Sequence, residues 1–222
     1  RDYYASRGLG DVYKRQVLAI VIIGILGIPA SSFIAVLSAA GLTIGLAFQG
    51  SLSNFAGGVL ILLFKPFKIG DFVKEDVHGN EGLVEGIDLF YTRMRTFDNK
   101  IVIIPNGSLA NTSITNYTAN NKRRIEIKVG ISYDSDMKRA KDILMNVINS
   151  QDGILKNEDN KVYVDALEES QITIGTMAWV MTDDYWKIKW ELTEKFKNAL
   201  DDAGIEIPFN QLSVTINEKQ RK

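Results

Sequence analysis

The chain has no cysteine and a single histidine, His78. The first absence excludes disulfides and thiolate metal sites as a means of holding the fold. The second removes most histidine-based acid–base chemistry and histidine-centred metal binding. No cofactor and no metal is expected, and no catalytic residue. Net charge is also nearly absent: 26 basic residues against 27 acidic ones leave −1 in a chain of 222 residues. So near-neutral a chain gives no reason to expect nucleic acid as a partner, and Arg93, Arg95, Lys122, Arg123 and Arg124 are too few and too mixed with acids to form a binding face. The most telling absence is local. From Val17 to Phe64 there is no Asp, Glu, Lys, Arg or His. The mean hydropathy of −0.03 hides this, because every ionisable group lies outside that window. Helices of a water-soluble domain need a wet face, so the window and the remainder belong to different solvents.

The chain reads in five parts. Residues 1–16 are dense in charge and show neither helical nor strand period, and they lack the order of a signal peptide. They are expected to be a non-native linker. Residues 17–28 are almost purely aliphatic but shorter than the roughly 20 residues a bilayer crossing needs. They read as the end of a truncated transmembrane helix. Pro29 then breaks the chain, with Ser31 or Ser32 as the expected helix cap.

Residues 31–64 form the second apolar segment. At about 100° per residue, Phe33, Ile34, Leu37, Ile44 and Phe48 fall on one bulky side. Ala35, Ser38, Ala39, Leu42, Gly45, Leu46 and Gln49 fall on the other, with Gly41, Thr43 and Gly50 on the flanks. Small flanking residues let neighbouring backbones approach closely. Gly50 and Ser51 are expected to interrupt the helix, which resumes as an amphipathic piece and bends from spanning the membrane to lying along it. Lys65 and Lys68 follow as the positive flank of a cytoplasmic boundary.

After Pro66 the pattern changes. Residues 65–118 carry short strand signals at 71–73, 82–84, 92–96, 100–104 and 113–115. Turns are expected at His78–Asn80, Asp98–Asn99 and Asn106–Gly107, so this part reads as a small all-β, barrel-like domain. Residues 119–222 begin with strict alternation over Ile125, Ile127, Val129 and Ile131. Helices follow at about 134–149 and 185–202, with strands at 162–167 and 171–181 and a last strand at 212–216. That order makes an α+β sandwich. Trp179, Trp186 and Trp190 are expected in its core or at a subunit interface. Asp134 and Asp136 fit a helix cap better than a catalytic pair, and Asp183 and Asp184 fit a turn.

Several blocks, in this order, resemble one family. Ala39-Ala40-Gly41-Leu42, Gly45-Leu46-Ala47 and Gln49-Gly50-Ser51-Leu52-Ser53-Asn54 resemble the pore helix of the small-conductance mechanosensitive (MscS) channels. Phe67-Lys68-Ile69-Gly70-Asp71, Arg95-Thr96-Phe97-Asp98 and Ile104-Pro105-Asn106-Gly107 resemble its β-domain signature, and Tyr133-Asp134-Ser135-Asp136 the opening of its α/β domain. The resemblance implies a homo-heptamer in a bacterial inner membrane, its C-terminal domains in the cytoplasm, opened by membrane tension. Such a channel, not an enzyme, would release ions and small solutes on hypoosmotic shock. Its partners would be the lipid bilayer and copies of itself. By position, Leu42 and Leu46 match two leucine rings that close the pore. Gly41 and Gly45 match the packing glycines, Ala35 and Ala39 the alanines facing them, and Gly50 the hinge. Ser38 and Thr43 depart from the family's usual glycine and alanine but remain small. The competing reading is a membrane-anchored binding or scaffold module built on the β and α/β domains.

Overall fold

The computed structural model describes residues 2–25, 27 and 29–212. The chain divides into two compact units, residues 1–70 with 74–115, and residues 71–73 with 116–222.

The first unit opens with helix α1, Asp2–Ile25. Helical backbone thus runs through residues 2–16, where the sequence shows no helical period. Helix α2 follows, Ala30–Phe64, 35 residues without a break. Pro29 occupies its N-cap position at φ −60° and no side chain caps the end. Ser31 and Ser32 lie inside the first turn instead, where the Ser32 amide donates to the Pro29 carbonyl at 2.9 Å. The helix stops at Lys65, whose backbone turns left-handed (φ 49°) and returns its N–H to the Ile61 carbonyl at 2.8 Å.

The strands of the β domain are β1 (Phe72–Glu75), β2 (Glu81–Ile87), β3 (Tyr91–Arg95), β4 (Ile101–Pro105) and β5 (Ile114–Asn116), in the order β4-β3-β2-β1-β5. All five lie within a residue or a few of where turn chemistry and β-branched runs place them. The β2 strand buries every second residue, Gly82, Val84 and Gly86, as a sheet with one covered face requires. Val84, Met94, Ile104 and Leu109, all at 6% exposure or less, form its interior with Ile61 and Phe67. Asn106 and Gly107 do not make the expected turn. They begin a short helix, α3 (Asn106–Ala110), with Pro105 extended at its N-cap and Asn106, Gly107 and Leu109 buried.

At the end of β1, Glu75 is a buried carboxylate, 1% exposed. Its Oε1 accepts the Val77 amide (2.9 Å) and lies 3.2 Å from the His78 ring Nδ1. The His78 amide reaches both oxygens at 3.1 Å. Burial alone would push this carboxyl up, but the His78 and Val77 hydrogen bonds outweigh it and hold it below its usual value. The His78 ring itself is a solvated turn group, as its Gly79 neighbour suggests.

In the second unit, β6 (Lys122–Ile131), β8 (Ile172–Met181) and β7 (Lys161–Leu167) pair antiparallel in the order β6-β8-β7. Helices α4 (Met137–Ser150) and α5 (Tyr185–Asp202) complete the α+β sandwich. Its core joins Ile125, Ile127 and Ile131 of β6 to Ile174, Ala178 and Val180 of β8. Leu144 and Ile148 of α4 meet Ile188, Leu192, Phe196 and Leu200 of α5 there. Each such side chain contributes about 1.5–3 kcal/mol by leaving water. Asp136 caps α4, accepting the Arg139 amide at 3.0 Å. Gly204, at φ +68°, ends α5. Trp186 and Trp190 are 43% and 66% exposed, so neither belongs to the core. They lie on the wet face of α5, clear of the Ile188–Leu192–Phe196 stripe that fills the interior. Asp183 and Asp184 sit in a 3-10 turn before α5, exposed to solvent. The strand expected at 212–216 lies outside the described residues beyond Leu212.

Candidate functional site

A helix of 35 residues rises roughly 50 Å at 1.5 Å per residue, more than the ~30 Å hydrocarbon thickness of a bilayer. Among the described residues α2 is the one helix long and apolar enough to cross a membrane. Its two parts differ in what they touch. From Ser31 to Ser53 every residue is exposed within the chain. From there a stripe at i, i+3, i+4 and i+7, formed by Asn54, Gly57, Gly58 and Ile61, turns away from solvent. That spacing is one face of a helix.

Each proposed gate and packing residue falls on the uncovered part. Leu42 and Leu46 stand one turn apart on the same face, 65% and 62% exposed. Ala35, Ser38 and Ala39 lie on that side in the preceding turns. A Cβ built on Gly41, Gly45 or Gly50 would meet nothing within 4 Å. Thr43 turns its hydroxyl back to the Ala39 carbonyl at 2.8 Å, which leaves its flank close to apolar. Gly50 and Ser51 lie inside continuous helix, so the expected interruption of secondary structure there is corrected. A glycine costs a helix only about 1 kcal/mol relative to alanine, too little to break it.

The covered stripe was not foreseen from the sequence. It rests on α3 and on the turn between β2 and β3. At Gly57 an added Cβ would lie 2.5 Å from the Asn106 carbonyl oxygen. At Gly58 it would strike the Leu89 carbonyl and come within 2.7 Å of Asn106 Nδ2. Only glycine permits backbone-to-backbone contact this close. Asn54 Oδ1 accepts the Gly107 amide at 2.9 Å, and the Phe55 and Phe90 rings meet with centroids 6.1 Å apart.

Asn106 is the centre of this seat and is wholly buried. Its amide N–H donates to the Phe90 carbonyl (2.9 Å) and its Nδ2 to the Asp88 carbonyl (2.7 Å), while Oδ1 accepts the Thr92 hydroxyl at 2.7 Å. A side chain with donor and acceptor both engaged holds one orientation. The available signal was the Gly57-Gly58 pair inside an otherwise bulky apolar run, together with a polar Asn54 one turn earlier. Among the described residues no group of three or more His, Cys, Asp or Glu could hold a metal ion. Among the described residues α2 is a long apolar rod, exposed within the chain from Ser31 to Ser53 and seated beyond that on α3 and the β2–β3 turn.

The chain is similar in sequence to known proteins. Residues 50–119 match the family model described as mechanosensitive ion channel, beta-domain, and residues 125–207 match mechanosensitive ion channel MscS, C-terminal. The chain belongs to the MscS family of mechanosensitive ion channels. A small-conductance mechanosensitive channel of Edwardsiella ictaluri is 42% identical over 79% of this chain and 61% of its own length. That of Helicobacter pylori is 33% identical over 91% of this chain and 74% of its own length. An MscS family protein of Buchnera aphidicola is 42% identical over 89% of this chain and 69% of its own. The chain thus spans roughly two thirds of such relatives. Among solved structures, Helicobacter pylori MscS in its closed state superposes with a TM-score of 0.82 at 34% identity, covering 90% of this chain and 79% of that one. Arabidopsis thaliana MSL1 shares the fold, with a TM-score of 0.72 at 19% identity. The MscS family is one of membrane channels rather than enzymes, and the uncharged α2 of this chain accords with a membrane location.

Proposed function

We propose that this chain is a subunit of a homo-heptameric channel of a bacterial inner membrane, opened by membrane tension to release ions and small solutes on hypoosmotic shock. One observation carries the reading: α2 is uncharged, exposed on every side from Ser31 to Ser53, and seated only at its far end. An apolar rod bare on all faces needs lipid on one side and copies of itself on the other. Small residues at Gly41 and Gly45, with Ala35, Ser38, Ala39 and Thr43, allow those copies to pack closely.

In such a ring Leu42 and Leu46 face the axis at two successive levels. A ring of leucines around a narrow pore expels water, and without water ions do not pass. Removing one leucine from water is worth roughly 1.5–3 kcal/mol, so seven at one level give roughly 10–20 kcal/mol as an upper bound. Membrane tension supplies the work that separates them. No charged side chain stands on this face, so the constriction itself selects weakly by charge. Gly50, which has open space around it, is the hinge between the pore part and the seated part. The β and α+β domains lie in the cytoplasm, on the side of Lys65 and Lys68.

Patch recording tests the reading directly. The protein is expressed in cells lacking other such channels. Stretch-activated currents are expected. Their absence, with the protein present in the membrane, would sink the proposal and favour a membrane-anchored scaffold.

A further inference from the structure

The seat of α2 centres on Asn106. Asn106 abuts α2 twice, with its carbonyl beneath Gly57 and its Nδ2 beneath Gly58. The angle of the Asn106 side chain therefore decides how closely the helix can lie. That angle is set by two bonds, from Nδ2 to the Asp88 carbonyl and to Oδ1 from the Thr92 hydroxyl, each 2.7 Å. Asp88 belongs to the turn that also presents Leu89 and Phe90 to α2. Thr92 lies on β3 opposite Ile104 of β4 and is wholly buried.

We infer that Thr92 is a positioning residue for the pore helix, acting through Asn106 to hold α2 on the β2–β3 turn. The chemistry is that of a buried amide. With the hydroxyl present, Oδ1 has its donor and Nδ2 its acceptor, and the amide plane is fixed. Without it, Oδ1 is a buried acceptor with no partner, a state costly enough that the side chain rotates to find one. Rotation carries Nδ2 from beneath Gly58, where there is no spare room, and lifts the helix from its seat. The inference deepens the channel reading, in which seating of α2 is part of the closed arrangement. The seating itself exists whether or not the chain conducts.

Because the chain has no cysteine, a pair placed by Phe55→Cys and Phe90→Cys is the only pair in the protein. The full chain in phospholipid vesicles is oxidised under mild conditions and the initial rate of internal disulfide formation is measured. Thr92→Ala and Thr92→Ser are compared in this background, since they differ by the hydroxyl alone. The Ser variant is expected to crosslink at close to the parent rate. The Ala variant should crosslink at least about fivefold more slowly, as expected from leaving a buried acceptor unpaired. Thr92→Val, which keeps the shape and loses the hydroxyl, should follow Ala. Equal rates for Ala and Ser overturn the proposal, even if both lower the melting temperature, because they leave Thr92 a packing role only. A parent pair that does not crosslink overturns it as well. Loss of current in the patch assay with the Ala–Ser difference intact would count against the channel reading and leave the role of Thr92 standing.

Discussion

Asn54 Oδ1 accepts the Gly107 amide at 2.9 Å, joining α2 to a residue 53 positions later. It is a polar bond from a helix that is otherwise apolar, and it sits where the helix passes from bare to seated. Asn54→Ala removes the acceptor and costs about 1 kcal/mol per chain. If the seat belongs to the closed arrangement, the variant should open at lower tension, with unitary conductance unchanged. The ratio of opening pressures against wild type measures this; equal pressures would detach the bond from gating.

Two glycines of α2 should respond oppositely to alanine. At Gly58 the added methyl meets the Leu89 carbonyl and the Asn106 amide. Overpacking of that kind costs about 1–3 kcal/mol, so Gly58→Ala should lower the melting temperature and loosen the Phe55–Phe90 contact. At Gly50 the methyl meets open space, and helix propensity favours it by about 1 kcal/mol. Gly50→Ala should leave the chain as stable or more so, yet alter current decay under sustained pressure. Unchanged decay would sink the hinge.

Leu46→Ser, and more weakly Leu42→Ser, should open at lower tension or leak at rest and slow growth. A hydroxyl at either level wets the constriction. Leu37→Ser lies on the opposite, bulky face and serves as the control. Unchanged threshold and resting current in both pore-face variants would mean that these leucines do not form the gate.

Acid should act through Glu75. Its carboxyl lies below the ordinary 4.5 in the folded protein, despite burial, because the His78 and Val77 hydrogen bonds favour the ionised form. A group depressed on folding stabilises fully above its unfolded value. That contribution fades as pH falls below 4.5 through the folded value. Glu75→Gln should be less stable than wild type at pH 7 and approach it at low pH. Parallel melting curves from pH 7 to pH 3 would exclude the mechanism.

Much of this protein is written in local patterns. The uncharged window announced α2, the alternation over Ile125, Ile127, Val129 and Ile131 announced β6, and Gly204 announced the end of α5. The seat was not legible in the same way. Asn106-Gly107 looks like a turn by composition, and nothing local shows that Pro105 before it starts a helix. Nor does sequence reveal that the Thr92 hydroxyl donates a hydrogen bond to Asn106, 14 positions away. Such pairs depend on how β3 and α3 meet, which no periodicity encodes.

The seat beneath Gly57 and Gly58 is built mainly from main-chain carbonyls and from two residues with no side chain. At those two glycines the joint tolerates no growth, because a single added methyl wedges the backbones apart. Over evolutionary drift these two positions should therefore fail by accretion, whereas the hydrogen bonds around Asn106 fail by loss.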